Sequence, residues 1–125
     1  MIYISGIKNI KFNDSFNLLW NLQGDLNLEK FILCKITICK IGGSSLMFYC
    51  ENELDKALKE QIFNIKIYFS DNYNLVVSGV LSKLFKSGVN NYYELVYVNT
   101  PDTIKDKIFS KMFKKQMEMK SGIGW

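Results

Sequence analysis

The sequence contains no histidine and no arginine: all 16 of its basic residues are lysine. Without histidine no side chain has an ordinary pKa near neutrality, so Ser-His-Asp and Cys-His nucleophile pairs are excluded and the commonest zinc partner is missing. Without arginine there is no planar fork for a carboxylate, a phosphate or a guanine edge, because lysine supplies only a point charge. Twelve asparagines and many Ile, Phe and Tyr accompany the lysines, the residue set that AT-rich codons supply. No apolar run approaches the ~20 residues that a membrane-spanning helix needs. The opening stretch "MIYISGIKNIKFND" lacks the charged lead, apolar centre and small-residue cleavage site of a signal peptide, so the expected location is the cytoplasm. Cysteine is scarce and odd in number, at three. A chain of 125 residues that is 48% hydrophobic can bury a core without staples, so the thiols are expected to be reduced. Nothing pairs a nucleophile with a base, so no catalytic residue and no enzyme activity are expected.

The charge that is present is mild. Twelve acidic residues set against the lysines leave +4, and the lysines are spread along the chain, whereas a nucleic-acid interface shows a clustered basic face. Nucleic acid is therefore not an expected partner. There is no repeat, low-complexity tract or linker, and residues 1–125 read as one domain. Residues 1–15 are polar and mixed, an arm or edge strand. "FNLLW" (Phe16 to Trp20) is a short apolar run, followed by Gly24-Asp25, which suits a turn. In "KFILCKITICKI" the residues Ile32, Cys34, Ile36 and Ile38 share one face and Lys35 and Thr37 the other, a strand signal. Gly42-Gly43 then leads into "SLMFYC" as a hairpin or sharp bend. "ENELDKALKEQ" is polar and suits a helical turn. "IFNIKIYF" alternates, "SDNYN" turns, and "LVVSGVLSKLF" is a long strand whose Ser78-Gly79 marks a bulge or a close backbone approach. After a second turn at "KSGVNN", "YYELVYV" returns as a strand.

The end of the chain changes period. Thr100 reads as an N-cap, Pro101 as the first helical position and Asp102 as a partner of the helix dipole. Ile104, Ile108, Phe109, Met112 and Phe113 then form an apolar stripe, with Asp106, Lys107, Lys111 and Lys114 opposite it. The expected helix spans 101–119, with Gly122 as its stop. Five or six antiparallel strands closed by one helix predict a mainly β fold, a small six-stranded antiparallel β-barrel with a C-terminal α-helix.

This order of elements, over roughly residues 10–120, resembles the PilZ domain family. The closing segment "DTIKDKIFSKMFKKQMEMK" is similar to the family's terminal helix, with Ile104, Ile108, Phe113 and Gln116 in matching places. "IGGSSLMFYCENEL" is similar to the family's Ser-x-x-Gly stretch and the strand after it. The resemblance implies a bacterial cyclic di-GMP receptor fold with two ligand motifs, an Arg-x-x-x-Arg arm and an Asp/Asn-x-Ser-x-x-Gly turn. The turn motif maps onto residues 40–45, where Lys40 replaces the acidic or amide residue, Gly42 the serine and Ser45 the glycine. The arm maps near "GIKNIKF", with Ile7 and Lys11 at the two arginine positions and Lys8 beside them. Every one of these positions departs from the motif. A guanidinium fork on guanine is worth ~1–3 kcal/mol that lysine does not supply. Tight cyclic di-GMP binding is therefore not expected, and no other cofactor is implied.

Three functions are compatible with these residues. The leading one is a non-catalytic PilZ-like regulatory module acting through protein contacts, its partner surface including Lys107, Lys111 and Lys114. The second is a divergent cyclic di-GMP effector using Lys8, Lys11 and Lys40. The third is a barrel that binds single-stranded nucleic acid through lysine and the tyrosines Tyr92, Tyr93 and Tyr97. Cys34, Cys39 and Cys50 lack the spacing and the fourth ligand of a zinc site, and a Cys39–Cys50 disulfide across the hairpin is the one conceivable cross-link.

Overall fold

The computed structural model describes residues 17–28, 31–54 and 61–123. The expected N-terminal arm, with Ile7, Lys8 and Lys11, lies outside the described residues, as does most of the polar segment after Cys50. Among the described residues there are six strands: β1 (Asn17–Leu28), β2 (Phe31–Gly42), β3 (Ser45–Cys50), β4 (Phe63–Ser70), β5 (Tyr73–Ser87) and β6 (Asn90–Tyr97). One helix, α1 (Asp102–Ile123), follows them. The strands close into a barrel in the order β1-β2-β3-β6-β5-β4, every pair antiparallel. No strand edge is left unpaired around the ring, which removes the usual template for edge-to-edge aggregation.

Period-two alternation puts the core where the sequence pattern places it. Phe63, Ile65 and Ile67 of β4, Leu46 and Phe48 of β3, and Tyr93 and Leu95 of β6 all point inward and are buried. Ile36, Ile38 and Ile41 of β2 are also buried; their parity changes at Cys39, where the register against β3 skips a residue between Ile38 and Lys40. Such a bulge re-aims the strand end and keeps Ile41 inward.

Two glycines are set by contacts within the sheet. A Cβ at Gly79 would lie 2.1 Å from the Val96 carbonyl oxygen, so the Ser78-Gly79 signal marks a close backbone approach. A Cβ at Gly24 would lie 3.0 Å from the Lys66 carbonyl oxygen. Gly24-Asp25 is therefore no turn, contrary to the sequence reading. It lies inside β1, paired with both Ile36-Lys35 and Ile67-Lys66, and its glycine serves tight packing. Asp25 is buried there, accepting a 2.5 Å hydrogen bond from the Tyr68 hydroxyl and facing Lys35 Nζ at 3.7 Å.

The helix start also differs from the expected cap. The Pro101 carbonyl accepts the first helical bonds, from the Ile104 and Lys105 N–H groups, so Pro101 itself is the capping residue. Thr100 stands one place earlier. Its hydroxyl accepts from Ser78 N–H at 2.8 Å and donates to the Ser78 carbonyl at 2.7 Å, clipping the helix entry to β5. The helix runs past Met119 to Ile123 and includes Gly122, which is not its stop. Ile108 and Met112 are buried in the same cluster as the barrel core, Phe109 is buried beside Phe113, and Ile104 is half-buried.

Ile108→Asp places a carboxylate among apolar side chains and is expected to unfold the protein or lower its stability by several kcal/mol (~3 or more). Gly79→Ala is expected to cost at least ~2 kcal/mol through overpacking, against about 1 kcal/mol for Gly88→Ala, where only the positive φ matters. The φ of Gly88 is 62° and its Cβ direction is open. Urea denaturation of the variants checks the ranking; a stable, folded Ile108→Asp would mean that α1 is not docked.

Candidate functional site at the helix-capped end

The antiparallel registers bring one set of strand ends together. The start of β1, the β2–β3 turn at Gly43-Ser44, the β4–β5 turn at Asp71-Asn72, the end of β6 and the entry to α1 all lie at the same end of the barrel. Residues of the turn motif and residues of the helix therefore share one region, although some 60 residues of sequence separate them.

The turn is tied to β6. The Tyr97 N–H donates to the Ser44 carbonyl at 3.0 Å, and the Tyr97 hydroxyl donates to the Gly42 carbonyl at 3.0 Å. Burial pushes the Tyr97 phenol well above its ordinary range, so it remains a donor at any physiological pH. Ser45 Oγ donates to Glu94 Oε2 at 2.9 Å. Lys40 is half-buried and lies beside Leu19 and Met47 across the β1–β2–β3 pairing, and Met47 in turn pairs with Glu94. The outer wall next to the turn thus reads Leu19, Lys40, Met47, Glu94 from strand to strand, with Leu19 74% exposed. Glu94 thus places a carboxylate beside Ser45 at this wall.

A second constellation lies at the barrel mouth. Trp20, Phe69 and Tyr73 are half-buried aromatic residues at the ends of β1, β4 and β5, with ring centroids 5.4 Å (Trp20–Phe69) and 6.1 Å (Phe69–Tyr73) apart. The helix crosses above them. Lys111 Nζ sits 4.1 Å from the Tyr73 ring centroid and Lys115 Nζ 5.7 Å from that of Trp20. Lys111 is consequently not on the free outer face that the helical stripe implies; it is half-buried against the rim. Lys107 and Lys114 are exposed, and Lys114 shares with Lys111 and Lys115 a cleft of about 210 Å³ walled by Trp20, Phe69 and Glu118. Trp20, Phe69, Tyr73 and Lys115 were not legible as site residues. The available signal was aromatic residues of inward parity beside strand ends.

The three tyrosines proposed for base stacking are separated. Tyr93 is in the core, stacked on Phe48 at 5.6 Å, and its hydroxyl accepts the Leu54 N–H. Tyr97 holds the turn. Tyr92 faces outward between Phe85 at 4.5 Å and Tyr49 at 5.1 Å, a cross-strand ladder over β5, β6 and β3. The three therefore form no common platform.

All three cysteines are free thiols. Cys39 Sγ donates to the Met47 carbonyl and Cys50 Sγ to the Asn52 carbonyl. Contact with Cys50 raises the Cys34 pKa, and the same contact lowers that of Cys50. Cys39 is raised by burial. Among the described residues no group of three or more His, Cys, Asp or Glu side chains could hold a metal ion.

No protein-family model matches the chain, and no curated protein sequence matches it. The closed six-stranded ring with a terminal helix is a PilZ-like fold. Among solved structures, the chain is similar to the Bacillus subtilis inhibitor of motility, MotI/DgrA, with a TM-score of 0.67 over 82% of its length at 10% sequence identity. It spans half of that protein's length. The likeness establishes the fold; function has to be argued from the site.

Tyr97→Phe removes the hydroxyl bond to Gly42 and is expected to cost about 1 kcal/mol at neutral pH. Its phenol is raised in the folded state, so the stability it contributes is fully present below the ordinary phenol pKa and is lost as pH rises through the folded value. The wild type should therefore lose more stability than Tyr97→Phe above pH ~10, and denaturation curves at pH 8 and 11 check the sign.

Proposed function

We propose that this chain is a non-catalytic PilZ-like regulatory module that acts in the cytoplasm through protein contacts, with cyclic di-GMP recognition lost or weak. One observation carries the reading: at the turn that the resemblance assigns to the nucleotide, the Ser45 hydroxyl is held by the Glu94 carboxylate. A carboxylate facing a phosphodiester repels it, and lysine in place of arginine offers no fork to offset the repulsion. The turn's groups serve the barrel instead, through Tyr97. The name of the Bacillus protein, an inhibitor of motility, supports a regulatory role for a module of this fold. Among the described residues no helix is long and apolar enough to cross a membrane. The contact surface we assign combines the exposed Lys107 and Lys114 of α1 with the adjoining wall of Leu19, Lys40 and Met47.

Calorimetric titration with cyclic di-GMP is expected to show no saturable binding with a dissociation constant below ~10 μM, a free energy near −7 kcal/mol. A saturable isotherm in that range, abolished in Lys11→Ala or Lys40→Ala, would favour the divergent receptor instead. Lys107→Glu combined with Leu19→Asp should reduce recovery of a cross-linked protein partner while the melting temperature stays within a few degrees.

A further inference from the structure

The cleft between α1 and the barrel mouth gathers Lys111, Lys114 and Lys115 against a single carboxylate, Glu118. Three positive groups and one negative group around about 210 Å³ leave an excess of positive charge among the described residues that line the cleft. Among the described residues, neither Lys114 nor Lys115 lies within ion-pair distance of a carboxylate. Two of the ammonium groups are also held in place. Lys111 rests on the Tyr73 ring and Lys115 reaches over Trp20, and the two rings are joined through Phe69. An aromatic face attracts a cation without cancelling its charge, so these lysines are positioned and still able to bind an anion. Ordering them before binding reduces the entropy lost when a ligand arrives.

We propose that this cleft binds a small soluble oligophosphate, a ligand with two or more negative charges recognised through phosphate oxygens. Lysine is a point-charge phosphate binder and needs no directional fork, so the absence of arginine does not weaken this site as it does the turn. The rings beneath the lysines are covered by them, so recognition is by charge and not by stacking of a base. The proposal goes beyond the protein-contact reading and does not rest on it: Lys114 belongs to both surfaces, but the partner test substitutes Lys107 and Leu19, which lie outside the cleft, and the Gly42–Ser45 turn is a separate set of residues.

The sequence has two tryptophans, Trp20 and Trp125. In a Trp125→Phe protein the fluorescence of Trp20 reports on the cleft, and inorganic pyrophosphate, titrated at constant ionic strength, is the probe. A saturable change is expected. Lys114→Gln and Lys115→Gln should each weaken it about threefold, and Glu118→Gln should tighten it by a similar factor, as expected for one unit charge at short range near a wet surface. Circular dichroism confirms that the variants fold, and the exposed Lys114 and Glu118 carry the test if Lys115→Gln is destabilised. A non-saturating change equal to that given by chloride would overturn the proposal. So would affinities that move in the same direction for Lys114→Gln and Glu118→Gln. Cyclic di-GMP calorimetry and partner cross-linking are unaffected by either result, so failure here and failure of the protein-contact reading are distinguishable.

Discussion

The structure depends on the junction where the chain leaves the barrel. Gly79 has no side chain, and that absence lets the Val96 carbonyl come within a distance that any Cβ would block. With β5 and β6 this close, the Val98 N–H reaches the Ser78 carbonyl at 2.9 Å. Asn99 then adopts a φ of 60°, a left-handed conformation that asparagine tolerates better than most residues, and the chain reverses direction. Thr100 returns both hydrogen bonds to Ser78, whose own hydroxyl donates to Asn64 Oδ1 on β4. Three strands and the helix entry are thus fixed by one glycine, one serine and one threonine. The direction of α1 follows from it, and with that direction Ile108 and Met112 close the core.

The same junction explains why charge is distributed as it is at this end. The helix emerges over the mouth, so its first inward residues plug the barrel and its next turns run across the aromatic rim. Lys111 and Lys115 cannot point to bulk solvent from that position without leaving the rings uncovered. Cation–π contact of roughly 0.5–1 kcal/mol each draws them back over Tyr73 and Trp20. Beside the β2–β3 turn at the same end, Glu94 of β6 supplies a carboxylate, with Lys40 two strands away on the same wall. A positive cleft and a turn with a carboxylate beside it therefore lie close together. A ligand or a partner meeting this end is sorted by sign before it is sorted by shape.

How much of this was legible depended on whether the signal was periodic or local. The strands of "KFILCKITICKI" and "IFNIKIYF" and the helical stripe at Ile104, Ile108 and Met112 follow from periodicity, because one buried face forces it. The Gly42-Gly43 hairpin and the close approach at Gly79 were also readable. Gly24 was not, because a glycine before an aspartate signals a turn and a tight sheet contact equally well, and only the Lys66 carbonyl across the barrel distinguishes them. Thr100 failed for a related reason. Its local geometry suits a cap, yet Ser78, 22 residues earlier, offers both a donor and an acceptor, and the tertiary pairing wins. Helical spacing sets the angle of Lys111 about the axis but not which rings lie beneath it, so the pattern alone points it to solvent while Tyr73 holds it at the rim. Nothing local in residues 40–45 announces Glu94, which comes from β6.

A PilZ-like barrel without arginine faces a particular physical problem at that turn. The carbonyls and the hydroxyl of a ligand-contacting hairpin are polar groups, and half-buried polar groups need partners whether or not a ligand arrives. In a receptor a bound ligand would supply part of that satisfaction. Here Tyr97 occupies the Gly42 and Ser44 carbonyls and Glu94 occupies the Ser45 hydroxyl. The turn is satisfied from within, and a nucleotide seeking the same groups would first have to break those bonds, each worth about 1 kcal/mol net. On the proposed reading, lysine in place of a guanidinium fork would weaken the attraction and the internal bonds would raise the cost, so both effects would act in the same direction. Lys40 stands at the motif's acidic or amide position and not at an arginine position, so replacing it alone would restore no fork and would leave Glu94 on Ser45. Recovery of a nucleotide site at this turn would require that bond to be released as well.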